Sequence, residues 1–158
     1  MLDNQLITKA SEKLKNQDLT IATAESCTGG LLAHYLTSIS GSSDYFDRGV
    51  ISYSNKSKIE LLGVTKETLE RYGAVSEQTA KAMAIGIRER SNVDIGVSTT
   101  GIAGPTGGTK AKPVGLVYIG IATPKKIEVK RLLFSGDRLQ NKEDTCNSAI
   151  KLILETIS

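Results

Sequence analysis

Apolar residues recur at helical spacing from the start of the chain. Leu2, Leu6, Ala10 and Leu14, with Ile7 beside them, mark one face, so residues 3–16 read as an amphipathic helix. Asn16-Gln17-Asp18 breaks the period, and an apolar stretch at 19–24 follows as a first strand. A second helical stretch at 31–39 leads to the turn cluster Gly41-Ser42-Ser43-Asp44 and then to a second strand at 49–53. Residues 55–62 read as a short helix. Ser76, behind Gly73-Ala74-Val75, is placed to cap a longer helix in which Ala80, Met83, Ala84 and Ile87 share a face and which ends near Ser91-Asn92.

Val93, Ile95 and Val97 alternate as a third strand, which runs directly into the glycine-rich segment 99–108. Residues 115–123 are nearly continuous in apolar character, as expected of a central strand. Pro124-Lys125-Lys126 turns the chain into 127–134, where Ile127 and Val129 alternate with Lys126, Glu128 and Lys130. So short a connection demands an antiparallel hairpin, because a parallel return needs a crossover. From about Arg138 onward, Cys146, Ala149, Ile150, Ile153 and Ile157 form the stripe of a final helix that packs on the sheet. The sum is one α/β domain over residues 1–158, a three-layer α/β/α sandwich around a mixed, mostly parallel five-stranded sheet. Its strands are parallel where helices cross over and antiparallel at the last hairpin.

Composition narrows the function. At 158 residues the chain can bury a core without disulfides or a metal. It has no apolar run near the roughly 18 residues that a membrane span needs and no charged-then-apolar leader, so a cytoplasmic location and no membrane partner are expected. The net charge of +3 is spread out, with local basic spots at Lys110/Lys112, Lys125/Lys126 and Lys130/Arg131. Aromatic residues are few and not interleaved with these bases, which argues against nucleic acid. The two cysteines, Cys27 and Cys146, and the single histidine, His34, are too few for a His/Cys zinc site. His34 reads as a solvent-facing helical residue, so any hydrolysis must use another base.

Three polar segments follow predicted strands, and in open α/β sheets such segments gather at one edge as a ligand crevice. The first is Glu25-Ser26-Cys27-Thr28-Gly29-Gly30, a strand-to-helix turn where helix-end N–H groups converge and an anion or oxyanion can be held. Ser26 is its candidate nucleophile; the plainer alternative is a capped helix start. Cys27 can be read as a competing nucleophile or a buried thiol, and Glu25 as structural support or an acid/base group, with support the preferred role. The second segment, from Tyr53 through Asn55 to Lys58, offers a base for Ser26 if Lys58 is held neutral, and Tyr53 as a proton relay. The third, 99–108, reads as a phosphate cradle, a substrate lid or a connection. It matches neither a dinucleotide nor an ATP glycine motif. Gly136-Asp137-Arg138 adds a cation at a helix start, either for phosphate or as a solvated residue behind an Asp137 N-cap.

Thr23-Ala24-Glu25-Ser26-Cys27-Thr28-Gly29-Gly30, Gly41-Ser42-Ser43, Tyr53-Ser54-Asn55-x-x-Lys58 with Leu62-Gly63-Val64, Gly73-Ala74-Val75-Ser76, Gly101-Ile102-Ala103-Gly104-Pro105 and Phe134-Ser135-Gly136-Asp137-Arg138 occur in one order along nearly the whole chain. In this the chain resembles the CinA C-terminal domain family, whose stand-alone members are the PncC-type nicotinamide-nucleotide amidases. The resemblance implies hydrolysis of the carboxamide of nicotinamide mononucleotide to nicotinic acid mononucleotide and ammonia, a step of pyridine-nucleotide salvage, without a metal or other cofactor. It implies Ser26 as nucleophile, Lys58 as base and Tyr53 close by. Amides of Cys27, Thr28, Gly29 and Gly30 would serve oxyanion or phosphate, and Thr100, Gly101, Ile102, Ala103 and Gly104 would line the nucleotide pocket. Self-association into a homo-oligomer is also implied. Lys142 stands where many relatives carry a second arginine, which keeps the charge and loses the bidentate fork. Longer relatives add an N-terminal domain linked to pyrophosphatase activity, which 158 residues are not expected to supply. The alternative from another class is a non-catalytic nucleotide- or partner-binding module, since the family is also named for competence and DNA damage.

Overall fold

The computed structural model describes residues 3–158. Leu2, assigned above to the first helical face, lies outside them. In chain order the elements are α1 (Asn4–Asn16), β1 (Ile21–Glu25), α2 (Leu31–Leu36), a 3-10 turn (Ser42–Asp44), β2 (Phe46–Ile51), α3 (Asn55–Leu62), α4 (Lys66–Tyr72), α5 (Glu77–Ser91), β3 (Ile95–Gly101), β4 (Leu116–Ala122), β5 (Ile127–Leu133) and α6 (Arg138–Ile157). The strands form one mixed sheet in the order β2-β1-β3-β4-β5. β1 pairs parallel with β2 and β3, whereas β4 runs antiparallel to both its neighbours. Four of the five strands therefore point one way, and β4 is the one reversed.

Helices cover both faces. α1, α2 and α6 bury Ile7, Leu14, Leu32, Leu36, Ile150 and Ile153 against Ile21, Ile95, Val97, Ile119 and Ile121. On the other face Leu62, Val64, Leu69, Met83 and Ile87 close over Ala22 and Ala24. Here α5 lies almost on the sheet backbone. A Cβ on Gly96 would stand 2.3 Å from the Ala84 carbonyl and one on Gly120 2.6 Å from that of Ala80. Ser98 Oγ uses the same proximity to donate to the Ala80 carbonyl at 2.6 Å. Among the described residues no helix is long and apolar enough to cross a membrane.

Several expected boundaries move. β2 begins at Phe46 rather than 49 and ends at Ile51, because Phe46 pairs with Ile21 and packs on the core while Asp47 and Arg48 point to solvent. α2 stops at Leu36 instead of running to 39, where Thr37 Oγ1 folds back onto the Ala33 carbonyl at 2.7 Å. Thr99, Thr100 and Gly101, expected in a loop, extend β3 because Ile119, Tyr118 and Val117 pair with them. α4 was not foreseen. It is a seven-residue helix started by Thr65, whose side chain accepts from the Thr68 N–H, and Leu69 is its buried anchor.

Candidate active site

β1 delivers the chain to the crevice between its own carboxyl end and that of β3, where Ser26 N–H donates to the Thr99 carbonyl at 3.0 Å. The turn that follows carries Gly29 and Gly30 in left-handed conformations, φ +59° and +103°, which only glycine adopts without cost. Glu25 then folds under the turn. Its Oε1 accepts from Thr28 Oγ1 at 2.5 Å and from the Leu32 N–H at 2.8 Å, and its Oε2 accepts from the Ala33 N–H at 3.0 Å. A longer bond of 3.3 Å joins Gly30 N–H to Oε1. Glu25 thus has the support role preferred for it from the sequence and makes no substrate contact: its buried carboxylate is the negative charge at the start of α2, and it takes the Gly30 amide that was expected to serve an anion. Thr28, fully buried, turns its hydroxyl inward to Glu25 and to Thr99 Oγ1 at 2.7 Å. Gly29 N–H donates to the Ser26 carbonyl and Leu31 N–H to that of Thr28, so Cys27 and Thr28 are the amides of the turn left outside these bonds.

Lys58 reaches Ser26 from the other side. Ser54 caps α3 by accepting from the Ser57 N–H, which starts the helix where its first full turn brings Lys58 back beneath the end of β1. Lys58 is 1% exposed and Ser26 8%. Lys58 Nζ lies 3.1 Å from Ser26 Oγ, 2.8 Å from the Ser52 carbonyl and 3.1 Å from the Tyr53 carbonyl. Burial holds the Lys58 amine below its ordinary pKa, and among the described residues no carboxylate lies beside it to offset the loss of hydration. As the ammonium, Lys58 donates to all three oxygens; in the neutral form its two N–H groups serve the two carbonyls and its lone pair is free to accept the Ser26 proton. Cys27 is a different case. Burial pushes its thiol up to about 12, so it stays protonated beside Ser26 and is no competing nucleophile at neutral pH. His34 is exposed on α2.

The remaining predicted residues divide. Tyr53, 59% exposed as a residue, gives Lys58 its carbonyl, while its phenol accepts from Arg138 Nη2 at 3.1 Å. The proposed proton relay through that hydroxyl is thereby corrected, since the phenol turns to Arg138. Arg138 also donates from Nη1 to the Gly104 carbonyl at 2.8 Å, linking the segment after β2 to the segment after β3. Gly101, Ile102, Ala103 and Gly104 run along this edge, with the Gly104–Pro105 peptide cis. A hollow of about 410 Å³ opens between Ala103, Pro105, Val114, Gly136 and Leu139 beside Arg138. Thr100 does not join it: its hydroxyl is buried on the opposite face and donates to the Ala74 carbonyl at 2.8 Å, a correction to its expected substrate role. Asn55 is exposed in the first turn of α3. Sequence reasoning missed Ser52 and Asn141, and it placed Thr99 only within the third polar segment; their roles run through backbone carbonyls and buried bonds that no motif signals. Lys142 comes over the turn, with its Nζ 3.6 Å from where a Cβ on Gly29 would lie.

A serine hydroxyl 3.1 Å from a buried lysine amine, on a strand-to-helix turn, has a proton acceptor within reach that is not a histidine. The family model of the CinA C-terminal domain matches residues 3–157. The chain belongs to the CinA C-terminal domain family. A curated CinA-like protein of Chloroherpeton thalassium is 54% identical over 151 residues, covering 93% of this chain and 36% of its own length. A protein named for competence-damage induction in Thermoanaerobacter pseudethanolicus is 56% identical over 140 residues, 89% of this chain and 34% of that one. The chain thus spans about a third of the curated CinA relatives it matches. Among solved structures, the competence/damage inducible protein CihA of Agrobacterium tumefaciens superposes with a TM-score of 0.95 at 38% identity, covering 98% of this chain and 94% of that one.

Proposed function

We propose that this protein hydrolyses the carboxamide of nicotinamide mononucleotide, with Ser26 as nucleophile and Lys58 as its base. The observation that carries the reading is the buried contact of 3.1 Å between Lys58 Nζ and Ser26 Oγ. The pyridine nucleotide as substrate rests on the family resemblance of the segments around Ser26, Tyr53, Lys58 and Arg138. In the first step Ser26 Oγ bonds to the carboxamide carbon while its proton passes to the Lys58 lone pair. The Cys27 and Thr28 amides are the turn's remaining donors to the carbonyl oxygen as it gains charge. The C–N bond then breaks, and the Lys58 ammonium returns its proton to the departing nitrogen, giving ammonia and an ester on Ser26. Water gives a proton to the same amine and attacks the ester carbon. Ser26 leaves as the alcohol, and nicotinic acid mononucleotide is released. Arg138 and Lys142 supply positive charge for the phosphate at the rim.

Ser26→Ala in the purified protein is expected to abolish ammonia release from the mononucleotide while leaving circular dichroism and thermal unfolding unchanged. Retained turnover in that variant would overturn the serine mechanism. Nicotinamide and its riboside, which lack the phosphate, are expected to react far more slowly than the mononucleotide. Binding of the mononucleotide without ammonia release by the wild type would favour a binding module instead.

A further inference from the structure

One buried side chain joins two of the segments that flank the Ser26–Lys58 pair. Asn141, which closes the first turn of α6, is 1% exposed. It donates from Nδ2 to the Ala103 carbonyl at 2.9 Å and accepts at Oδ1 from the Gly136 N–H at 3.0 Å. Its partners dictate the orientation of the amide, because a carbonyl only accepts and an N–H only donates. Ala103 belongs to the segment leaving β3 and Gly136 to the segment leaving β5, so this amide ties the two together at the end nearest α6, beyond the backbone bridge in which Gly115 donates to the Ile102 carbonyl and accepts from the Phe134 N–H.

What that tie controls is Arg138. The guanidinium hangs between Gly104, the residue after Ala103, and the Tyr53 phenol, and its own backbone starts two residues after Gly136. The hollow of about 410 Å³ beside it is walled by both stapled segments, through Ala103, Pro105 and Val114 on one side and Gly136, Asp137 and Leu139 on the other; the Asp137 carboxylate is engaged as the N-cap of α6, accepting from the Gln140 N–H. Neither Asn141 side-chain bond supports a helix or strand ladder. A leucine could fill the same buried volume without desolvating an amide. The polar side chain therefore serves the two loops and not the core.

We propose that Asn141 is a positioning residue for substrate binding: it holds the 102–105 segment against the start of α6, so that Arg138 and the hollow keep the geometry that receives the anionic end of a mononucleotide. It makes no hydrogen bond with Ser26 or Lys58. This inference rests on the amidase reading above.

Asn141→Asp keeps the acceptor for Gly136 and turns an oxygen against the Ala103 carbonyl, while Asn141→Leu loses both bonds. The test, on the full chain, combines amide hydrogen exchange with steady-state ammonia release. Exchange is expected to speed up in residues 101–108 and 134–139 of both variants, with β1 and α5 unchanged. KM for nicotinamide mononucleotide is expected to rise by about tenfold while kcat stays within about twofold. KM for the riboside, which brings no phosphate to Arg138, is expected to move far less. Unchanged exchange in both segments, or a fall in kcat shared equally by the two substrates with KM constant, would overturn the proposal. Should Asn141→Leu not fold, Asn141→Asp and Asn141→Ser carry the same measurements. If the wild type releases no ammonia, the amidase reading falls alone, and the exchange result still supports or overturns the staple.

Discussion

Lys58 gives up hydration for two carbonyls and a hydroxyl instead of a carboxylate, and the consequences are readable against pH. Its folded pKa lies below the ordinary 10.5. Between those two values the unfolded chain holds a proton that the folded chain does not, so stability rises with pH across that window. Lys58→Met is expected to remove this slope, which urea unfolding at several pH values above neutrality would show. Activity follows the same group: kcat/KM for ammonia release should rise with pH through the folded pKa, since only the neutral amine can take the Ser26 proton. Lys58→Arg keeps the charge but cannot deprotonate, and a loss of about a thousandfold is expected in the same assay. Ser26 and Lys58 were legible at this scale because residue type, spacing and family motif agreed. The direction of the Tyr53 phenol was not, because it depends on where Arg138 arrives from 85 residues away.

At the scale of elements, α2 has six residues, too few to hold together by propensity. Its N-terminus is held by Glu25, whose carboxylate takes the Gly30, Leu32 and Ala33 amides. Glu25→Ala leaves those donors without a partner in a buried site, and a loss of about 3 kcal/mol is expected in urea denaturation. Glu25→Gln, which keeps an acceptor, should lose less. The first and last helices and the final hairpin showed in the pattern because several apolar residues repeat along each. α4 did not, since Leu69 is its single buried residue and one anchor makes no period. The first half of β2 was hidden for a related reason: Asp47 and Arg48 lie on an edge strand and face solvent, so they read as a turn.

Across the whole molecule, the placement of α5 on the sheet decides how the layers meet. The Ala84 and Ala80 carbonyls stand where Cβ atoms on Gly96 and Gly120 would go. Gly96→Ala should therefore force α5 outward and lower stability by about 2 kcal/mol, seen as a lower midpoint in thermal unfolding. What the sequence determined by itself was the set of strands and long helices, the five-stranded α/β plan and the presence of a serine turn, because periodicity, capping residues and glycine turns act over a few neighbours. What only the tertiary structure decided were the partners. Glu25 closes the helix end that looked open to an anion, Thr100 faces away from the site, and Asn141 ties together loops that are 33 residues apart in the chain, from 103 to 136. Those choices depend on which chemically able group is brought to a buried donor or acceptor that must be satisfied, and that is settled by packing across the sheet rather than by spacing along the chain.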